Sequence, residues 1–208
     1  MSELVSGRPD ASPLDPEDAA RANLYGLVSR LFYAPADANL LAEISRSGEN
    51  GEGEGDRDLN AAWRGLKEAC RNAFPPVVRQ EYDTLFVGVG KSQVTPYLSG
   101  YAEPTSPDRF LVRLRGQLAE WGLGRRESVF EVEDHISGVS DAMRWLIENL
   151  RSPAEQQQFF ESFIYFGAIK FCAAVQNAPS ASFYKPVAAL AVSFLEIEKA
   201  AFDISDKS

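Results

Sequence analysis

The sequence predicts an all-α fold, a single-domain helical bundle of about seven to eight helices with a long ordered loop, and three observations carry that reading. Apolar residues recur at helical spacing through most of the chain. No run alternates β-branched and polar residues as a half-buried strand would. Prolines, glycines and capping residues punctuate the ends of the periodic stretches. With 208 residues and 45% hydrophobic composition the chain can bury a substantial core, so residues 1–208 are expected to form one domain.

Asp15-Pro16-Glu17-Asp18 opens the first helix: Asp15 suits the N-cap, Pro16 the first helical position, and the acids face the positive end of the helix dipole. Leu24, Leu27, Val28, Leu31 and Phe32 continue it as a core-facing stripe that stops before Pro35. Residues 1–14 ahead of it are expected to be flexible. Leu40, Leu41 and Ile44 mark a shorter second helix, which runs into a glycine-rich acidic loop at 47–58, too polar to bury anything. Leu59, Trp63, Leu66 and Cys70 form a third helix ended by Pro75-Pro76, and Val78, Tyr82, Leu85 and Phe86 a fourth. From Val87 to Pro107 glycines and prolines break any period, which predicts a long ordered loop; loops of that length in a compact domain tend to carry function. Ser106-Pro107-Asp108 starts the next helix, with Leu111, Leu114, Leu118 and Trp121 in a stripe ended by Gly122 and Gly124. Ile136, Val139, Met143, Leu146, Ile147 and Leu150 form another. Ser152-Pro153-Ala154-Glu155 is a capping-box pattern ahead of Phe159 to Val175, which is apolar on nearly every face and should be central. Ser180 or Ser182 opens the last helix, carrying Phe183, Tyr184, Val187, Leu190, Phe194 and Leu195.

Composition narrows the function classes. The net charge of -9 disfavours nucleic acid, whose phosphates call for Lys and Arg, and favours a basic partner. The 47–58 loop holds five acids against Arg57, so the acidity extends well beyond it. Cys70 and Cys172 lie far apart without C-x-x-C spacing and read as small buried hydrophobes, neither a disulfide framework nor metal ligands. Residues 1–10 lack a basic region followed by an apolar one, so no export signal is read there. The longest apolar stretch, Phe163 to Val175, is short for a membrane span and contains Lys170, so no stable membrane insertion is expected.

Two local motifs carry chemistry. Gly88-Val89-Gly90-Lys91-Ser92 resembles the end of a phosphate-binding loop and supports an alternative reading as a nucleotide-binding switch or enzyme. The full motif fails, because Leu85 stands where its first glycine belongs and the preceding segment is helical rather than a strand. The second is Glu131-Val132-Glu133-Asp134-His135, which gathers three carboxylates around the only histidine. Consecutive helical residues point in different directions, so the cluster cannot close around one ion. No second histidine exists, and no nucleophile accompanies it. No catalytic residue, metal or cofactor is assigned. Acids before a helix also favour its dipole, whereas a charged histidine there is disfavoured and calls for another reason.

Taken together, Tyr82-Asp83-Thr84-Leu85-Phe86, Pro96-Tyr97-Leu98-Ser99-Gly100-Tyr101 and Glu131 to His135 give the order Y-x-x-L-F, P-Y-x-S-x-Y, E-x-x-D-H, preceded by Arg21 to Tyr25 and Leu31 to Pro35. This resembles the TorD/DmsD/NarJ family of cytoplasmic chaperones for molybdoenzymes over roughly Arg21 to Phe194. The resemblance implies a TorD-like helical fold that binds the twin-arginine leader, the body, or both, of a molybdoenzyme catalytic subunit. Such a chaperone holds its client in the cytoplasm for molybdenum-cofactor insertion before export or assembly, as a monomer or domain-swapped dimer. Dimethyl sulfoxide or trimethylamine oxide reductase and formate dehydrogenase are client types compatible with it. The leader-binding positions it implies are Leu85, Phe86, Pro96, Tyr97, Ser99, Tyr101, Glu131, Asp134 and His135. Val132 departs from the family's usual proline, and Ser162 to Phe166 lacks the histidine and tryptophan of an H-L-x-x-W pattern.

The residue chemistry is compatible with that implication. Two guanidinium groups followed by an apolar stretch call for carboxylates beside an apolar groove. Asp83, Glu131, Glu133 and Asp134 are candidates for the first, with Tyr82, Phe86, Tyr97 and Tyr101 for the second, if the long loop folds back on the cluster. His135 would be a neutral hydrogen-bonding partner or would orient Asp134.

Overall fold

The computed structural model describes residues 14–48, 56–88, 92–123 and 133–205, and they form helices throughout. In chain order these are α1 (Pro16–Tyr33), α2 (Ala38–Arg46), α3 (Arg57–Asn72), α4 (Pro75–Tyr82), α5 (Ser99–Ala102), α6 (Pro107–Glu120), α7 (Ile136–Glu148), α8 (Pro153–Phe159), α9 (Tyr165–Asn177) and α10 (Tyr184–Ser205). Two π-helical turns extend the set: Asp83–Val87 continues α4, and Phe160–Ile164 joins α8 to α9 in one run of 25 residues. The fold is all-α, with no strand among the described residues. The short α5 lies inside the segment expected to be loop.

The expected start signals act largely as anticipated. The Asp15 carboxylate accepts the Asp18 N–H at 2.9 Å, and Ser152 and Glu155 form the reciprocal capping box ahead of α8. Gly122, at φ 71°, follows the end of α6 in the left-handed region that favours glycine. Ser106 makes no side-chain cap to α6. Of the 47–58 loop, residues 49–55 lie outside the described residues, as do residues 1–13; Asp56 is the N-cap of α3, accepting from Asp58 and Leu59.

α1 packs along α7, α9 along α10, and α10 and α2 both along α3. The buried face of α1 is Tyr25, Val28, Leu31 and Phe32, while Leu24 and Leu27 are only partly buried and look onto a surface groove. Tyr25 replaces Leu24 in the core because its ring meets Phe194 edge-on and its hydroxyl donates to Glu198 at 3.0 Å. Glu198 also takes a two-pronged contact from Arg21, Nε to Oε1 at 2.7 Å and Nη2 to Oε2 at 2.9 Å. Burial works against the charge on Arg21, but hydrogen bonding and attraction to Glu198 outweigh it and hold the guanidinium firmly protonated. This buried pair ties α1 to α10.

The run through α8 and α9 is the central helix the sequence anticipates, burying Phe159, Phe160, Phe163, Phe171, Cys172 and Val175. It is longer than the apolar stretch suggested: by length and composition it would be able to cross a membrane, but half of that window is buried inside the bundle. Phe166 remains 60% exposed on its outer side.

Ser180 and Ser182 do not cap α10. Its first helical residue is Tyr184, and the backbone N–H groups of Ser182, Phe183 and Tyr184 all donate to the Glu81 carboxylate, at 2.8, 3.0 and 2.9 Å. Glu81 sits in α4, about a hundred residues earlier, and is itself buried.

Candidate functional site

The segment before α5 folds back on the start of α7, as the sequence reading required. The Leu98 N–H donates to the Asp134 carbonyl and the Ile136 N–H to the Pro96 carbonyl, both at 2.9 Å. These bonds make an isolated antiparallel bridge between Tyr97 and His135, and the two rings meet edge-on with centroids 5.6 Å apart. Residues 94–102 therefore form a strap across the bundle, pinned to α7 at its middle.

Asp134 and His135 hold this junction from within. Asp134 is only 1% exposed, and its Oδ2 accepts the Ser99 N–H at 3.2 Å, so the carboxylate caps α5 rather than the adjoining α7. His135, 3% exposed, is the N-cap of α7: Nδ1 accepts the Ser137 N–H at 3.2 Å and lies 2.6 Å from the Ser137 hydroxyl. Nδ1 thereby fills at the start of α7 the N-cap role that a side-chain oxygen more often takes. That is the physical reason for a histidine at this position.

The strap is fastened elsewhere too. The Val94 N–H donates to the Leu85 carbonyl at 2.9 Å, the Tyr101 hydroxyl to the Thr95 carbonyl at 2.9 Å, and Lys170 Nζ to the Tyr101 carbonyl at 3.1 Å. Leu98 is fully buried over Gly167 of α9, where a Cβ would stand 2.9 Å from Leu98 Cβ and 3.1 Å from its carbonyl oxygen. Only glycine permits that approach.

The remaining candidates divide. Pro96 and Ser99 are buried in the strap junction, and Tyr97 and Tyr101 are partly exposed on it. Leu85, Phe86 and Tyr82 belong to the core, not to an open groove. Phe86 packs against Phe32, Tyr82 and Tyr184, and the Tyr82 hydroxyl donates to the Phe32 and Tyr33 carbonyls at 3.1 and 2.8 Å. The expectation that Tyr82 and Phe86 line a groove is corrected by that burial. Asp83 is exposed on the π turn after α4. Glu133 is largely shielded and accepts from Arg115 Nε and Nη2 at 3.1 and 3.0 Å. Glu131 lies outside the described residues, as do Val89, Gly90 and Lys91 of the glycine loop.

Sequence reasoning missed Arg115, Gly167 and Glu81. A glycine inside the apolar α9 was the available signal for a close approach; nothing local marks Arg115 or Glu81, whose partners are distant in sequence. It also missed a groove of about 810 Å³ running along α1 and walled by Leu27, Ile44, Leu59 and Trp63.

The match to known proteins covers this geometry. Residues 52–166 match the family described as nitrate reductase delta subunit, a span that takes in the Y-x-x-L-F, strap and Asp134-His135 motifs. The chain belongs to this NarJ/TorD-type family. It is 29% identical over 114 residues to an uncharacterized protein of Haemophilus influenzae, and the match covers 55% of each chain. The chain thus spans about half the length of the curated relative it matches.

Proposed function

We propose that this protein is a cytoplasmic, non-catalytic maturation chaperone for a molybdoenzyme. It binds the twin-arginine leader, the body, or both, of the catalytic subunit and holds it for molybdenum-cofactor insertion before export or assembly. The observation that carries the reading is the Tyr97–His135 bridge, which joins two motifs of the family resemblance at one junction although Ser99 and Asp134 are 35 residues apart.

The division of labour follows from burial. Asp134 and His135 keep the strap in register, while Tyr97, Tyr101 and Glu133 meet the peptide: two aromatic faces for apolar side chains and a carboxylate for a guanidinium. The binding surface rests on rigid supports, as recognition of a short peptide requires.

Calorimetric titration with a synthetic leader peptide tests this. Binding weakened by Tyr97→Ala and by Glu133→Gln, with far-UV circular dichroism unchanged, is the expected result. Unchanged affinity in both would remove the site, and absence of binding by the wild-type chain, together with failure to capture a large molybdoenzyme subunit from the native host, would remove the function.

A further inference from the structure

Phe166 is the one phenylalanine of the run from Pro153 to Asn177 that the bundle leaves open. Phe159, Phe160, Phe163 and Phe171 are at most 6% exposed, whereas Phe166 is 60% exposed. Its ring meets that of Tyr165, with centroids 5.3 Å apart, and no other ring among the described residues. Tyr165 is itself held from the far side, its hydroxyl donating to the Glu196 carboxylate of α10 at 3.1 Å. Phe166, Ile169, Lys170 and Ala173 stand at i, i+3, i+4 and i+7 and so share one side of α9, with Ile169 partly buried and Ala173 exposed.

That side adjoins the strap. Leu98 lies over Gly167, the residue after Phe166. One turn on from Phe166, Lys170 Nζ donates to the Tyr101 carbonyl at 3.1 Å, and the Tyr101 ring meets Phe171 with centroids 6.1 Å apart. Phe166 therefore sits beside the end of the strap that carries Gly100, which is exposed, and Tyr101, which is partly so. The charges select what can lie here. Lys170 puts an ammonium on this side of α9, and the carboxylates at its border already hold partners: Glu196 accepts from Tyr165, and Glu161 from the Gln157 amide at 3.3 Å with Lys199 3.8 Å away. A guanidinium would meet a like charge, whereas an uncharged apolar segment covers the ring without that penalty.

We propose that the side of α9 bearing Phe166 and Ile169 receives the apolar stretch that follows the arginines of a docked leader, extending the surface of Tyr97 and Tyr101 past Lys170. The proposal rests on the leader-binding reading and places a part of the peptide that reading leaves unplaced. Lys170 clasps the strap through Tyr101 and also disfavours an arginine at this end, so the peptide lies in one direction. Covering a ring that is 60% exposed strengthens binding about five- to twenty-fold.

The test uses the full chain and synthetic peptides: two consecutive arginines followed by an apolar stretch, the same peptide with serines in place of the stretch, and the first peptide with a photoreactive benzophenone side chain inside the stretch. Irradiation and mass spectrometry are expected to find the cross-link within residues 165–173. A cross-link confined to the groove along α1, at Leu27, Leu59 or Trp63, overturns the proposal. In calorimetric titration Phe166→Ser is expected to weaken the apolar peptide about five- to twenty-fold and Phe166→Trp to restore it, with hydrogen exchange at the Leu98 amide unchanged because the strap is intact. Unchanged affinity in Phe166→Ser, an equal weakening of the serine peptide, or a wild-type chain that binds both peptides alike overturns the proposal while leaving leader binding in place. A wild-type dimer in sedimentation velocity that Phe166→Ser dissociates assigns this side of α9 to a second copy of the chain and overturns it too. A wild-type chain that binds neither peptide removes both readings.

Discussion

Replacing Glu81 tests whether a single buried carboxylate holds the start of α10. Its two oxygens receive three backbone N–H groups, from Ser182, Phe183 and Tyr184, and those of Phe183 and Tyr184 are buried. In Glu81→Ala the Ser182 N–H regains water, but the other two lose their acceptor with none to replace it. At about 1–3 kcal/mol for each buried orphaned group, the expected loss is about 2–6 kcal/mol. The end of the favourable carboxylate–dipole interaction adds up to about 1 kcal/mol. Glu81→Gln keeps one carbonyl oxygen for the Ser182 and Tyr184 N–H groups, which share Oε1, and turns an amide toward Phe183, so only one bond is lost and the expected cost is about 1–3 kcal/mol. Urea unfolding followed by circular dichroism measures both, with the slope unchanged if the denatured state is unaffected. A loss below about 1 kcal/mol in Glu81→Ala, or equal losses in the two variants, would refute the assignment.

Gly167→Ala forces a Cβ against Leu98, and is expected to destabilise by about 1–3 kcal/mol and to speed hydrogen exchange at the Leu98 and Ile136 amides more than in the α1–α7 pair. Burial pushes the Cys172 thiol up to about 12 and the Cys70 thiol up to about 11, so neither should react with iodoacetamide in the native protein at pH 8, while both react in denaturant. Glu155 is held below the usual glutamate range by the Ser152 backbone N–H and hydroxyl. Its folded pKa is therefore lower than its unfolded one, and its stabilisation is present at neutral pH and lost as pH falls through the depressed value. Glu155→Gln should lower the urea midpoint at pH 7 and make no difference at strongly acidic pH; a difference independent of pH would contradict the capping role.

The elements were readable because their signals are local. Asp15-Pro16, the capping box at Ser152 and the apolar spacing from Ile136 to Ile147 each act within one or two helical turns, and the helices form where those signals lie. What escaped depends on long-range partners. Ser182 has the chemistry of an N-cap, but Glu81 arrives from α4 with two oxygens and takes the amides instead. The Y-x-x-L-F aromatics have the chemistry of a peptide groove, but Phe86 is enclosed by rings from α1, α4 and α10. Neither outcome is encoded in a window of neighbouring residues. The pairing of Pro96–Ser99 with Asp134–His135 was legible only as a combination of motifs, since no spacing rule links positions so far apart.

The buried state of Asp134 and His135 changes what a mutation at either one means. Both are hydrogen-bonded inside the junction, Asp134 through its carboxylate to Ser99 and His135 through Nδ1 to Ser137. A variant such as Asp134→Ala leaves the Ser99 N–H without its acceptor and loosens the strap, so a peptide affinity that depends on Tyr97 would fall without any contact between Asp134 and peptide. The two routes separate by rescue. If the pair acts through the strap, a peptide lacking its arginines loses as much affinity on Asp134→Ala as the arginine peptide does, because the apolar contacts at Tyr97 fail in both. If the Asp134 carboxylate itself met a guanidinium, only the arginine peptide would respond. Geometry favours the first: at 1% exposure the carboxylate offers no open oxygen, whereas Glu133, one residue earlier, has an exposed cation resting on it.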